Sequence, residues 1–151
     1  MAKRIIVPLD GTAASEAVLS LVTGSAQGTG AIVRLLHVAP VPDGVIDQDG
    51  RLVQYADQEM ARLESARSSY LEGVGASLGS FPVERVVRFG DPAREILVEA
   101  EAWSADLIAM TVPPKRWLDR IRRRRVAAQV VRRATVPVVL YQPPRAKLRL
   151  A

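Results

Sequence analysis

Residues 4–12 read Arg-Ile-Ile-Val-Pro-Leu-Asp-Gly-Thr. The apolar run at the start of this stretch is short and continuous, which is typical of a strand buried on both faces of a parallel sheet. Asp10 and Gly11 end the strand, and Thr12 is a favourable N-cap for a helix over residues 13–26. A strand that leads through a polar loop into a helix indicates an α/β fold.

The same alternation continues along the chain. The pattern predicts strands at 32–38, 82–88, 105–112 and 136–142, and helices at about 52–78, 92–103 and 119–133. It also predicts a loop at 40–50, and it makes Asp91 and Pro92 the start of the helix at 92–103. We therefore predict an α/β fold with an open five-stranded, mostly parallel sheet and helices on both faces, Rossmann-like in its layers. Residues 1–143 form one predicted domain, and 144–151 form a basic C-terminal tail.

Composition excludes several classes of site. The chain has 151 residues, no cysteine and one histidine, so disulfides, cysteine nucleophiles and histidine-rich metal sites are excluded, and no metal ligands are predicted. No apolar run approaches the ~20 residues of a membrane helix. Residues 1–4 lead directly into the first strand without a signal-peptide pattern, so we expect a cytoplasmic protein that does not contact a membrane.

Charge is distributed unevenly along the chain. Residues 1–114 hold 9 basic and 15 acidic side chains, a net charge of −6, whereas residues 115–151 hold 12 basic and one acidic, a net charge of +11. This asymmetry predicts an anionic partner for the C-terminal part, or a contact between the two parts of neighbouring copies.

Ligands of open parallel sheets bind beyond the carboxyl ends of the strands, which indicates the loops after Leu9, Val38 and Met110.

Three segments in order resemble the universal stress protein family. They are Ile5 to Thr12 followed by Ser15-Glu16-Ala17; Gly90 to Ala93 with Ile96-Leu97 and then Ala105 to Met110; and Val126 to Ala134 followed by Val136 to Leu140. The match spans nearly the whole chain. The resemblance implies a fold similar to the adenine-nucleotide α-hydrolase group, of which some family members bind ATP.

The ATP-binding glycine motif of such members is degenerate here. The resemblance places Gly-x-x-Gly at 111 and 114 and the later Gly-Ser/Thr at 124 and 125, where this chain has Thr111, Pro114, Arg124 and Arg125. The last 61 residues contain no glycine at all. The opening aspartate, which in binders lies near adenine and ribose, is retained. The candidate cleft implied by the resemblance comprises Pro8, Asp10, Val38, Met110, Thr111, Arg124 and Arg125.

These departures weaken a phosphate site. Glycines let backbone N–H groups approach phosphates, whereas Pro113 and Pro114 have no N–H to donate and a fixed φ. We therefore expect no bound cofactor, with ATP as the less favoured alternative.

A basic cluster occupies the same region: Lys115, Arg116, Arg122, Arg123, Arg124 and Arg125. Cations at a helix N-terminus oppose the helix dipole, and a bound anion would offset that cost. The cluster indicates either an anion site, for a phosphate-bearing metabolite, an acidic protein or nucleic acid, or a solvated charged face. We favour the solvated face for most of these arginines.

The last strand is predicted to lie at a sheet edge, as in the family, and exposed edges tend to be paired. The resemblance implies a homodimer through this strand, with contacts from Val136, Val138, Val139, Leu140 and Tyr141.

Three functions follow from these observations. The leading one is a non-enzymatic, dimeric cytoplasmic stress-response or regulatory protein that does not bind ATP in the standard way. The alternatives are a module for ATP, AMP or another phosphate ligand that uses Arg122–Arg125, and a weak nucleic-acid binder that uses the basic C-terminal region. The sequence suggests no catalytic residues, since no triad or phosphate-loop lysine motif is present, although weak ATP hydrolysis stays open.

Overall fold

The computed structural model describes residues 3–43, 45–46, 48–112 and 121–143. Seven strands and four α-helices are described in this part of the chain, and a 3-10 helix at Ala13–Val18 precedes α1. The strands are β1 Arg4–Pro8, β2 Ile32–Ala39, β3 Val45–Ile46, β4 Leu52–Gln54, β5 Val83–Phe89, β6 Leu107–Thr111 and β7 Val138–Tyr141, and the helices are α1 Leu19–Ala26, α2 Ala56–Ala76, α3 Pro92–Ala102 and α4 Ile121–Arg133.

Five strands form one sheet in the order β5-β2-β1-β6-β7, and every neighbouring pair in it is parallel. The prediction of an open five-stranded α/β fold is confirmed. The chain runs outward from β1 to β2 and β5 on one side, and then returns to place β6 and β7 on the other side. The strand order therefore reverses between β1 and β6, which makes this the point where a parallel sheet opens a cleft.

Each face of the sheet has its own apolar core, because successive side chains of a strand point to opposite faces. Val7 of β1 lies in a cluster with residues of α1 and α2, whereas its neighbour Ile6 lies in a cluster with residues of α3 and α4. Both side chains are fully buried. The helices therefore cover both faces, and the polar carboxyl end of β1 is left between α2 and α4.

The predicted N-caps Thr12 and Asp91 are confirmed. The Thr12 hydroxyl accepts a hydrogen bond from the backbone N–H of Ser15, and the Asp91 carboxylate accepts one from the N–H of Arg94, with Pro92 in the first turn. The helix predicted over 13–26 begins with the 3-10 segment, a conformation that is frequent at helix N-termini.

Two other sequence predictions were wrong. The predicted loop at 40–50 contains β3, which pairs antiparallel with β4, so the long helix begins at Ala56 instead of residue 52. Tyr55 precedes that helix in an extended conformation, with φ −79° and ψ 144°. Leu52 matched the helical stripe in the sequence, but residues 52–54 pair with β3 instead.

An ionic network lies beneath α3 on the face of β2 and β5. Glu99 is only 4% exposed and accepts hydrogen bonds from Arg34 Nη1 at 2.6 Å and from Arg88 Nη1 at 2.8 Å. Each arginine also pairs with a second carboxylate, Glu84 for Arg34 and Glu95 for Arg88. Because every buried charge in this network has an opposite charge beside it, the network is compatible with burial.

Candidate functional site

The candidate site lies in the loop that follows β1, at the reversal of strand order. Leu9 continues the sheet by donating its N–H to the carbonyl of Leu36 at 2.8 Å, and Gly11 then turns the chain with φ +90°. This φ favours glycine because a side chain would strain the backbone there. The turn directs the Asp10 carboxylate to the carboxyl edge of the sheet.

Asp10 is held by its own loop. Its Oδ1 accepts hydrogen bonds from the backbone N–H of Thr12 at 2.9 Å and from the Thr12 hydroxyl, while the Asp10 N–H donates to the Ser15 hydroxyl at 3.2 Å. Burial acts to raise the pKa of Asp10, but these hydrogen bonds and the charge of Arg123 outweigh it and lower the pKa below its ordinary value. Asp10 is therefore ionised at neutral pH and weakly basic.

Arg123 reaches the same carboxylate from the other side of the cleft. Its Nε lies 2.7 Å from Asp10 Oδ2, and both side chains are about one-third exposed. The ion pair connects the first turn of α4 to the loop after β1. One member of the predicted basic cluster thus turns toward the cleft.

The rest of that cluster is placed differently. Arg125 is exposed and Arg124 is half-buried, and neither forms an ion pair with Asp10. The side chain of Arg122, together with Lys115 and Arg116, lies outside the described part of the structure, as do Pro113 and Pro114. Among the described members, the structure therefore brings Arg123 alone to Asp10.

Two residues near the site were not among the predicted cleft residues. His37 of β2 is buried, and its Nδ1 lies 2.9 Å from the carbonyl oxygen of Leu9. Arg67 of α2 places Nη1 3.4 Å from the position that a Cβ on Gly11 would occupy. Burial and the charge of Arg67 lower the pKa of His37 against the opposing effects of the Leu9 carbonyl and Asp10. His37 is therefore neutral at pH 7.

A signal for Arg67 was present in the sequence. Arg67 precedes Tyr70 by three positions and Leu71 by four, so the three share one face of α2. Leu71 is fully buried, and the Tyr70 hydroxyl donates to Glu16 Oε2 at 2.9 Å. Burial and the Glu16 carboxylate raise the pKa of Tyr70. The face of α2 that carries Arg67 therefore lies against the loop after β1.

This architecture can be compared with known proteins. Residues 1–142 match the sequence model of the Universal stress protein family. The chain belongs to that family. None of the curated proteins compared with this sequence matches it significantly.

Several solved structures share the fold of this chain at low sequence identity. Hypothetical protein MJ0577, whose structure was used to assign a biochemical function, superposes with a TM-score of 0.75 at 22% identity and covers 97% of this chain and 99% of its own. A universal stress protein in complex with cAMP gives a TM-score of 0.61 at 16% identity, with 93% and 97% covered. A universal stress protein from Archaeoglobus fulgidus in complex with dAMP gives a TM-score of 0.56 at 20% identity, and the match covers 93% of this chain and 97% of the other.

In this universal stress protein, Thr111, which the resemblance places at the first position of the glycine motif, is a structural side chain. The Thr111 hydroxyl accepts a hydrogen bond from the N–H of Val18 at 3.0 Å and donates one to the carbonyl of Ser15 at 2.9 Å. These bonds attach the 3-10 helix to the end of β6. A glycine at this position would lack both bonds, so Thr111 stabilises the helix that begins beside Asp10.

Two of the other predicted cleft residues pack into the core instead. Met110 is buried in the cluster with α3 and α4, Val38 packs against the same cluster, and Pro8 is half-buried at the end of β1. The carboxylate at the end of β1 in this universal stress protein is therefore that of Asp10, which already has its hydrogen-bond partners. Such an aspartate is a weak general base, because its lone pairs are occupied and its pKa is low.

No helix among the described residues combines the length and the apolar character that crossing a bilayer requires.

Proposed function

We propose that this universal stress protein is a non-enzymatic, cytoplasmic regulatory or protective module that does not bind ATP in the manner of the family. The observation that supports this function best is the ion pair between Arg123 and Asp10. The resemblance places this aspartate near the adenine and ribose of ATP in the members that bind it. Here a guanidinium group of the same chain holds it, so a nucleotide would have to break the pair.

The residues at the positions that the resemblance assigns to the glycine motif also disfavour ATP binding. Thr111 uses its hydroxyl to hold the 3-10 helix, and Arg124 brings a long side chain to a position where binders approach phosphate with backbone alone. Neither position therefore offers a flexible backbone amide to a triphosphate. The role left to the cleft is a structural one, and regulation would act through contacts with other proteins.

Calorimetry with ATP and Mg²⁺ tests this proposal. We expect no binding heat for the wild-type protein at millimolar ATP, and none for Arg125→Ala, which removes an exposed arginine of the same helix. Arg123→Ala is expected to increase nucleotide affinity because it releases Asp10. Micromolar binding of ATP by the wild-type protein, abolished by Asp10→Ala, would contradict the proposal.

An adenine-nucleotide ligand is the second candidate, because two structures of similar fold were solved with cAMP and with dAMP. Mass spectrometry of the denatured, purified protein separates the two candidates. A stoichiometric amount of co-purified adenine nucleotide would favour the second one.

The proposed module is a homodimer formed through β7. This strand lies at one edge of the sheet, and within the described chain only β6 pairs with it. Leu140 is 44% exposed on it, although it is a large apolar side chain. Unpaired strand edges of this kind tend to be covered, and pairing with a second β7 would cover both.

Analytical ultracentrifugation tests the dimer. We expect the wild-type protein to sediment as a dimer at micromolar concentration and Leu140→Asp to sediment as a monomer. The matched control is Val98→Asp, because Val98 is also an exposed apolar residue, at 38%, but belongs to α3 instead of the edge strand. A monomeric wild-type protein, or equal effects of the two substitutions, would exclude this interface.

A further inference from the structure

Two exposed helix faces carry opposite charges at the same spacing. On α4, Arg125 and Arg132 are seven positions apart with Ala128 between them, and all three residues are exposed. Seven residues make about two helical turns, so these side chains form one row along the outer face, with the arginines about 10 Å apart along the helix axis. We call these three residues the basic row.

The outer face of α2 carries a corresponding acidic row, which consists of Asp57, Ala61 and Glu64. The two acidic residues are again seven positions apart with an alanine between them, and all three residues are exposed. Their carboxylates are therefore also about 10 Å apart along the helix axis. Equal spacing of opposite charges allows both acids to meet both arginines in one contact.

The two rows match when the helices run antiparallel. On α4 the alanine follows the first arginine by three positions and precedes the second by four, whereas on α2 it follows the first acid by four and precedes the second by three. An antiparallel contact therefore places Glu64 opposite Arg125 and Asp57 opposite Arg132. The two alanines then meet in the middle, where small side chains allow the helix axes to approach closely.

This contact requires a second copy of the chain. Leu71 of α2 is buried in the same cluster as Val7, whereas Val130 of α4 is buried in the same cluster as Ile6. The two helices therefore cover opposite faces of the sheet, and the two rows of one molecule point away from each other. Each copy can offer its basic row to one neighbour and its acidic row to another, and such a head-to-tail contact can continue beyond two copies.

We propose that copies of this protein associate by packing the basic row of one copy against the acidic row of the next. The sequence of α4 contains no acidic residue, so the whole helix favours a negatively charged partner. Ile121 lies on the same face, four positions before Arg125, and the contact would cover part of this side chain, which is 50% exposed. Because exposed ion pairs are weak and screened by salt, the association is reversible and depends on ionic strength.

Sedimentation velocity at two salt concentrations tests this contact. The wild-type protein should form larger species at about 20 mM sodium chloride than at about 0.5 M, because the Debye length falls from about 20 Å to about 4 Å. We expect an association constant at least about tenfold higher at the lower salt concentration. The proposed pairing through β7 does not use these charges, so Leu140→Asp should reduce the size of the species at high salt but should not remove the growth at low salt.

Charge reversal of each row assigns the contact. Arg125→Glu with Arg132→Glu should abolish the growth at low salt, and so should Asp57→Arg with Glu64→Arg. The variant with all four substitutions has the net charge of the wild-type protein and again has opposite rows, so it should recover the growth. A mixture of the two double variants should also associate, although neither does so alone, and circular dichroism verifies that each variant folds.

The matched control is Arg94→Glu with Arg133→Glu, which changes the net charge as much as reversal of the basic row. Both residues are exposed, and Arg133 follows Arg132 at about 100° around the same helix. This control should grow at low salt as the wild-type protein does. The proposal is overturned if the wild-type species do not change with salt, if the control loses the growth as well, or if reversal of the acidic row leaves the growth intact. Failure of both the fourfold variant and the mixture to associate would overturn it too.

Discussion

Replacing Glu99 with alanine tests whether the ionic network beneath α3 stabilises the fold. The change removes two charge-assisted hydrogen bonds from Arg34 and Arg88, each typically worth about 1.5–3 kcal/mol. Both arginines keep a second carboxylate and some exposure to water, which recovers part of the loss. We therefore expect the free energy of unfolding to fall by about 3 kcal/mol, the lower end of the range for breaking a buried ion pair.

Urea denaturation followed by circular dichroism measures this change, and thermal denaturation gives a second reading. At about 2–4 °C per kcal/mol for a domain of this size, Tm should fall by about 6–12 °C. Glu101→Ala is the matched control, because Glu101 is exposed on the same helix and its loss should change stability by less than about 0.5 kcal/mol. A loss below about 1 kcal/mol for Glu99→Ala would refute the network as a source of stability.

Three further predictions concern the loop after β1. NMR titration of His37 should give a pKa below 6.5, and a pKa above 6.5 would contradict this prediction. Because the unfolded chain then binds the proton more readily, the contribution of His37 to the free energy of unfolding is complete above pH 6.5. This contribution falls as the pH drops from 6.5 to the pKa of the folded state. Thr111→Val should cost about 1–3 kcal/mol in urea denaturation by leaving the Ser15 carbonyl and the Val18 N–H unpaired, whereas the exposed control Thr135→Val should be nearly neutral. Gly11→Ala should lower the free energy of unfolding by about 1–2 kcal/mol because the φ of Gly11 is +90°. Gly24→Ala in α1 is the control, and because the space around Gly24 is open it should raise the free energy of unfolding by about 0.5–1 kcal/mol. Equal effects of the two substitutions would contradict the backbone strain assigned to Gly11.

The alternation of apolar strands and helices was sufficient to predict the main sheet, because burial on both faces leaves a continuous apolar run in each central strand. The hairpin of β3 and β4 was missed for a physical reason. Its strands are two and three residues long, and its pairing is a contact between distant backbone groups that no local periodicity records. Residues 52–54 were therefore assigned to the helix that follows them.

The candidate site was only partly predictable. Asp10 stood out because it follows the first strand, and the basic cluster stood out by its charge. Which arginine meets Asp10 depends on the rotation of α4, because successive helix residues point about 100° apart. That rotation is set by the packing of Ala127 and Val130 against the sheet, and it selects Arg123. Arg67 and His37 come together only through the placement of α2 and β2 around Gly11.

The two margins of the sheet differ in what they can accept from another molecule. β5 carries inward-pointing ionic side chains that serve the network with Glu99, whereas β7 consists of Val-Val-Leu-Tyr. Charges of this kind discourage a foreign strand from docking. If only one edge strand can pair, assembly stops at a dimer, whereas two edge strands that can both pair would permit open-ended fibres. If copies of the protein pair through β7, the partly exposed charges of β5 would therefore also limit further growth at the other edge.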